Sequence, residues 1–485
     1  MPVTILWFRQ DLRLADNPAL QAALLRRGPI VPVYIYAPDE EGAWAPGAAS
    51  RWWLHQSLLS LDAALREHGS ALCLRRGPTV ATLQSLLSET GADAVLWNRR
   101  YEPAVIAHDQ AIKQLLRAAG LLAESHNAAL LTEPWQIQNQ NGKPFQVYTP
   151  YWRSLLRQIK PPAPASAPTK LPAPARFPTG HTVDELELLP RIRWYESLAR
   201  HWQPGETGAQ RQLQRFIDKA WPTYTTQREL PAVAGSSRLS PHLHFGELSP
   251  RQVWHAIGAA AAQRGIAATE WQTDKFLTEL GWREFAHYLL YHHPQTPTES
   301  LRTAWRDFQW REDAPALRAW QRGRTGVPLI DAGMRELWTT GWMHNRVRMI
   351  VASFLVKNLR LPWQAGARWF WDTLVDADLA NNTQGWQWTA GCGADAAPYF
   401  RIFNPVTQGE RFDPRGEYLR RWLPELARLP DRYIHAPWIA PAAVLQAADI
   451  ALGREYPAPI VDLKASRAGA LAAYQRLRAD AATGA

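Results

Sequence analysis

From Pro161 to Pro178 the chain reads PPAPASAPTKLPAPARFP, and the residue pattern changes character on either side of it. Proline fixes φ and removes a backbone donor, so neither a helix nor a central strand can run through this stretch. It reads as an extended linker or a surface-hugging connection. Upstream, Ile5 to Phe8, Ile30 to Tyr36, Leu72 to Leu74 and Ala94 to Trp97 are short apolar runs suited to buried strands. Helical spacing alternates with them: Leu54, Leu58, Leu61 and Leu65 share one face, as do Ile112, Leu115, Leu116 and Ala119 before the stop signal Gly120. This alternation predicts a Rossmann-like α/β domain, a parallel sheet with flanking helices. No GxGxxG fingerprint or GxxxxGK[ST] loop follows the first strand, which leaves ordinary dinucleotide or ATP use there unsupported. After about Gly205 the pattern is almost wholly helical. The expected organisation is an α/β domain over 1–135, a proline-rich connection over 136–204 and an all-α domain over 205–485.

Composition bounds the function classes. A chain of 485 residues exceeds one compact unit and has ample material for a large core. It contains no run of about 18 apolar residues, and MPVTILWFRQDLR turns to charge too early for a signal peptide, so a cytoplasmic protein is expected. Cys73 and Cys392 lie far apart and form no CxxC pair, which supports neither a disulfide framework nor a zinc ribbon, and no metal is expected. A net charge of +10 raises the odds of a polyanionic partner. The 25 tryptophans add flat, oxidisable surface, and basic charge with aromatic platforms is the composition of proteins that hold unstacked bases.

The candidate site residues lie downstream of the proline stretch. Between Asp376 and Trp388, DADLANNTQGWQW sets two acids, amides and two indoles together without helical or strand alternation. It suits an aromatic ligand with polar edges; the plain alternative is a loop whose Asp and Asn cap helices. Near the start of the helical half sit Tyr224 and then GSSRLS, Gly235 to Ser240, before a proline and HLHFGELSPRQ. Serine hydroxyls and free N–H groups at a helix start can cradle a phosphate, or simply form a capped turn. In FLTELGWREF, Glu279 and Trp282 are spaced i, i+3 and share a helix face. In GWMHNRVRMIVASFLV, a helix is expected to place Trp342, Asn345 and Met349 on one face, with Arg346 and Arg348 to either side. Trp, Asn and Met together fit a pocket wall better than either core or solvent surface.

Six segments together identify a family. WFRQDLRLADNPAL, SSRLSPHLHFG, ELGWREF, TGWMHNRVRMIVASFLVK, DADLANNTQGWQW and PYFRIFNPVTQGERFDPRGEYLRRWLPEL resemble, in that order, the photolyase and cryptochrome flavoproteins. The resemblance covers nearly the whole chain. It implies that the all-α domain binds FAD, with Tyr224, Ser236, Ser237, Arg238, Leu239 and Ser240 holding phosphates and ribityl chain. It further implies Phe276, Asp376, Asp378 and Arg348 as FAD residues, Arg348 paired with Asp376, and Asn382 facing flavin N5. An electron path of Trp386, Trp363 and Trp310 follows from the same resemblance.

Within the family, Glu279, Trp282, Asn345, Met349 and Trp388 look like the lesion pocket of class I cyclobutane pyrimidine dimer photolyases. The (6-4) photolyases would carry histidines in place of Asn345 and Met349. Plant cryptochromes usually have Asp at the positions of Asn345 and Asn382 and Tyr at that of Trp388, and DASH-type members have Gln at that of Met349. The implied activity is light-driven repair of DNA pyrimidine dimers by a monomer, with Arg228, Arg283, Arg346 and Arg401 on phosphates alongside the pocket residues. A blue-light receptor signalling through a partner is the alternative, for which a long tail after RLRADAATGA would be suggestive. The expected location is bacterial cytoplasm, at the nucleoid when DNA is bound. For an antenna, folate-binding members carry Asn-Glu where YEPAV has Ala104 and Val105. Folate is therefore not expected; a deazaflavin, another chromophore or none fits equally, with Arg51 and Glu102 as weak pointers.

Overall fold

The computed structural model describes residues 2–396 and 400–483. Pro398 and Tyr399 of the closing motif lie outside the described residues. The chain forms two compact units: residues 1–219, 237–294 and 375–380 make the first, and 220–236, 295–374 and 381 onward the second.

The first unit is built on a parallel sheet of β1 (Thr4–Phe8), β2 (Ile30–Tyr36), β3 (Cys73–Arg76), β4 (Ala94–Asn98) and β5 (Leu122–His126). The strand order is β3-β2-β1-β4-β5, with Thr4 opposite both Ile30 and Ala94. β1, β2 and β4 are buried along their whole length, which is why each reads as an unbroken apolar run. β5 is absent from the sequence expectation because it is an edge strand with its polar and apolar side chains mostly open, LAESH. The predicted helical stripes lie on Ala48–Glu67, where Leu54, Leu58, Leu61 and Leu65 are buried, and on Pro103–Ala118. Leu115 departs from its predicted face, being 38% exposed.

The order reverses at β1, and such a switch point normally leaves a ligand crevice at the strand ends. Here polar side chains of the chain itself fill that position. Arg9, directly after β1, bonds Asp109 at 2.7 and 3.0 Å and the Asn98 carbonyl at 2.5 Å.

The proline-rich stretch contains neither helix nor strand and hugs the first unit. Asp16 N–H donates to Ala165 O, Ile30 N–H to Pro172 O and Leu171 N–H to His68 O, at 2.7, 2.7 and 2.9 Å. With Leu171 1% exposed, it is a fixed strap rather than a free linker.

Downstream the described residues are helical, with no strand. The helices used below are α1 (Lys275–His292), α2 (Asn345–Ser353), α3 (Trp363–Thr373), α4 (Leu379–Ala390) and α5 (Leu463–Thr483). No helix among the described residues is long and apolar enough to cross a membrane.

Two local expectations are corrected. DADLANNTQGWQW, read without a helical period and with a loop as its plain alternative, is helical from Leu379 on: α4 includes Asn382, Trp386 and Trp388, while Asp376 to Asp378 precede it. Its helical period was hidden because polar residues point inward as well as outward, with Thr383 and Gln387 6% and 2% exposed. Trp342 is not on the Asn345–Met349 helix. Gly341, left-handed at φ 65, ends the preceding helix Pro328–Thr340, and the His344 side chain caps α2 by accepting from Arg346 N–H at 3.2 Å.

Gln387 is held on every side: its amide donates to Thr296 O and Glu299 O, both at 2.8 Å, and its carbonyl accepts from Leu301 N–H at 2.9 Å. Gln387→Leu strands two carbonyls and an N–H in the interior and is expected to cost about 3 kcal/mol. Urea unfolding measures this, and a loss below about 1 kcal/mol would show that water replaces the amide.

Candidate functional site

In the first unit the predicted residue Asp378 sits among partners the sequence did not name. Its carboxylate is buried and faces two imidazoles, His287 Nε2 at 3.3 Å and His244 Nδ1 at 3.7 Å. Burial alone would raise this carboxyl, but His287 above all, then His244, outweighs it and holds the group well below the ordinary aspartate value. Burial likewise works against a charged His287, yet Asp378 lifts it above its ordinary 6.5. The remaining His287 nitrogen, Nδ1, donates to Arg283 O at 3.0 Å, so the ring is oriented at both ends. His244 Nδ1 is buried and faces Asp378 from just beyond hydrogen-bond distance, as a charge partner rather than a close donor. The sequence expectation named Asp378 and missed both histidines, whose only signal would have been two buried imidazoles with no apolar reason to be there.

The GSSRLS turn is tightly built. In the second unit a Cβ on Gly235 would lie 2.7 Å from Gln227 O. In the first unit Arg238 is left-handed at φ 53, an uncommon state for a non-glycine. It is held by its guanidinium 4.2 Å over Trp202 and by Gln212, whose amide donates to Ser237 O at 2.7 Å. The helix Ser240–His244 starts with no side-chain cap; Leu239 is buried, Ser236 and Ser237 are partly exposed and Ser240 is exposed. Ser237 Oγ accepts from Leu239 N–H at 3.4 Å, and N–H groups at a helix start beside serine hydroxyls suit a phosphate.

Other cofactor candidates are placed as follows. Phe276 is buried 4.4 Å from the Phe216 ring. Asp376 and Tyr224 are buried. Arg348 donates to Met343 O at 2.7 Å and lies 5.7 Å over Trp342. Asn382 donates one N–H of Nδ2 to Ala367 O at 2.9 Å, which fixes the amide plane and leaves its second N–H and its carbonyl oxygen to offer. In the first unit, the helix start at Ser240 without a side-chain cap and the buried Asp378 carboxylate suit a polar cofactor.

The aromatic candidates differ in exposure. Trp282 on α1 stacks on Tyr148 at 3.9 Å and 11°, so one face of the indole is covered while the residue stays partly exposed. Gly281 makes this possible, since a Cβ there would lie 2.6 Å from the Tyr148 hydroxyl. Glu279 on the same helix is 3.2 Å from Lys275. In the second unit Asn345 is exposed at the start of α2 and Met349, one turn on, is partly exposed. Trp388 is partly exposed, with the Arg401 guanidinium 5.6 Å over its ring.

The arginines are less free than expected. Arg283 donates to Ala129 O at 2.7 Å and lies 3.6 Å from Glu284, so its guanidinium is engaged inside the first unit. Arg228 and Arg346 share Glu229, at 3.1 and 2.5 Å. Burial would raise Glu229, but the Arg346 hydrogen bond leads the terms that pull it below the ordinary value. Glu229 was not anticipated; a lone acid between two arginines in three dimensions leaves no mark in sequence.

Trp386 and Trp363 are 2% and 1% exposed, and Trp310 is partly exposed. Trp386 packs edge-on against Phe370 at 5.1 Å and Trp320 at 6.2 Å, and a Cβ on Gly366 would strike its ring at 2.0 Å. Trp310 contacts Phe308 at 4.5 Å and Trp305 at 6.2 Å. The antenna pointers are occupied: Arg51 donates to Pro46 O at 2.9 Å, and Glu102 pairs at 2.9 Å with Arg100, which also holds Glu41.

Comparison with known proteins bears on this geometry. Residues 4–172 match the family described as DNA photolyase, and residues 276–476 match the FAD binding domain of DNA photolyase. A deoxyribodipyrimidine photo-lyase of Agrobacterium fabrum is 48% identical, covering 98% of each chain. Cryptochrome-1 of Arabidopsis thaliana is 43% identical over 96% of this chain and 69% of its own. A crystal structure of a bacterial class III photolyase from Agrobacterium tumefaciens superposes with a TM-score of 0.94 at 48% identity, covering 99% of this chain and 98% of that one. The class I expectation thus gains no support, because the solved relative is of class III.

The Asp378 cluster gives a pH signature. Because His287 is raised in the folded state, its contribution to stability is full below about pH 6.5 and is lost as pH rises through the raised value. The stability difference between the wild type and His287→Gln, from urea melts across pH 5.5 to 9 (roughly the span over which histidine titrates), is expected to shrink in that direction. A difference flat with pH would show that the ring is neutral.

Proposed function

The chain belongs to the DNA photolyase family, with FAD as its cofactor, and from that premise we propose that it repairs cyclobutane pyrimidine dimers in DNA using light. We place it with the class III relative rather than with class I. Supporting this is the set of accessible side chains: a single-faced Trp282, an exposed Asn345, a half-exposed Met349 and Trp388.

Tyr224 and the Ser236 to Ser240 turn would hold the cofactor's phosphates and ribityl chain, with Phe276, Asp376, Asp378 and Arg348 as further cofactor residues. The ionised Asp378 is a strong acceptor for ribityl hydroxyls, and its two histidines fix its direction. Ala367 O takes one N–H of the Asn382 amide and orients it, and its oxygen would accept from N5–H of a reduced flavin; a neutral amide gives up no proton readily. Bound and reduced, FAD supplies on absorbing light the one electron that opens the cyclobutane ring, and takes it back. Trp386, Trp363 and Trp310 would carry electrons inward when the cofactor must be reduced.

A dimer stacks and pairs poorly, so turning it out of the duplex costs only a few kcal/mol. Stacking on Trp282 and Trp388, worth roughly 1–3 kcal/mol per base, offsets this. Glu279 and Asn345 would bond the carbonyl and imide edges while Met349 packs on the ring. Arg228, Arg346 and Arg401 would hold phosphates, with Arg283 a structural residue behind Trp282.

A second reading, a blue-light receptor, draws on the 43% identity to an Arabidopsis cryptochrome. Illuminating the reduced holoprotein with a dimer-bearing oligonucleotide separates the two. Restored thymines, in light only, are expected; Trp282→Ala should keep FAD and bind the lesion about tenfold more weakly. Intact dimers with a flavin that still photoreduces would favour the receptor.

Glu229 gives an independent check on the phosphate contacts. Glu229→Gln should raise affinity for duplex DNA at low salt and steepen the log–log salt slope by about 1. Fluorescence anisotropy measures both, and unchanged binding would remove Arg228 and Arg346 from the interface.

A further inference from the structure

Three arginines of the second unit converge beside Trp310. Arg311 follows it directly and donates its N–H to Arg360 O at 2.8 Å, which ties the two segments together. Arg360 is itself left-handed, at φ 54, where the chain turns towards α3. The third, Arg476, lies on α5, two residues after Tyr474, whose ring sits 6.2 Å from Trp305; Trp305 in turn contacts Trp310 at 6.2 Å. Arg360 is lowered from its ordinary value by burial first, and then by the charges of Arg311 and Arg476. None of the three forms an ion pair among the described residues. Of the acids next in sequence, Asp313 is used as a helix cap, accepting from Ala316 N–H at 2.9 Å, and Glu312 is exposed. Arg311 and Arg476 are exposed and Arg360 and Trp310 partly so, so the cluster is open to solvent.

Like charges held close repel, and a cluster without a carboxylate raises the local concentration of anions. Here it does so at an oxidisable ring. We infer that the Arg311–Arg360–Arg476 cluster is a docking site for a small anionic one-electron donor that re-reduces Trp310. This rests on the reading of Trp310 as the outer end of the electron path. In the step, the indole that has passed one electron inward regains one, and the donor leaves one electron poorer. No bond is made or broken. The cluster favours donors that carry negative charge and leaves neutral ones unaided.

Flash photolysis of the FAD-loaded protein tests this, with hexacyanoferrate(II) as the anionic donor and ferrocenylmethanol as the neutral one. In the wild type the bimolecular rate of indole recovery with hexacyanoferrate(II) should fall as ionic strength rises from about 0.01 to 0.5 M, while the neutral donor is indifferent to salt. In the triple variant R311Q/R360Q/R476Q the anionic rate should drop about tenfold and the neutral rate hold. Equal salt response of both donors, or an unchanged anionic rate in the variant, overturns the docking site while leaving the electron path intact. Trp310→Phe distinguishes the other failure: if that variant still photoreduces its flavin at the wild-type rate, the path does not end at Trp310 and the inference falls with it. Weaker binding of undamaged DNA to the triple variant, with donor rates unchanged, would assign the arginines to nucleic acid and likewise overturn it.

Discussion

A buried helix tolerates polar side chains only where each inward-facing group finds a partner, and α4 is built on that condition. Gln387 binds two carbonyls and an N–H of the segment 296–301, and Asn382 binds Ala367 O. Between these anchors Trp386 drops onto the bare backbone of Gly366. Were Gln387 unpaired, its burial would cost about 3 kcal/mol. The rotation of α4 is therefore set by hydrogen bonds, and that rotation decides which indole is sealed and which stays accessible. Trp386 is almost fully buried, and Trp388, two residues on, keeps an exposed surface beside Arg401.

Charge is handled in two ways. Around Asp378 a carboxylate is buried with imidazoles, which stabilise its anion without fixing a permanent opposite charge. Around Glu229 two permanent cations share one acid at a partly exposed place. The first arrangement suits a fixed acceptor for a bound cofactor, and the second suits a surface that must exchange its internal partner for a phosphate. Arg283 follows neither course: engaged with Ala129 O, it braces the helix that presents Trp282.

Glycine supports the aromatic placement at two points. Gly281 admits Tyr148 against α1, which covers one face of Trp282, and Gly366 admits Trp386. In each case an added Cβ would fall well inside contact distance of a ring, so what these positions require is absence of volume rather than backbone freedom.

The α/β half was legible because β1, β2 and β4 are buried throughout and appear as apolar runs, and because proline forbids regular structure over 161–178. The long motifs likewise carried the family and the FAD, since they preserve residue types at fixed spacing. The edge strand β5 was lost for want of a buried face, and α4 for the opposite reason, its buried polar residues erasing the helical period. Tertiary structure alone decided the partners: His244 and His287 on Asp378, Glu229 between two arginines, Tyr148 beneath Trp282, and the grouping of Arg311, Arg360 and Arg476, without an ion pair among the described residues. Most of these pairings join residues far apart along the chain, and a local pattern records which side chain is present and what period it keeps, but not which distant group the fold sets against it.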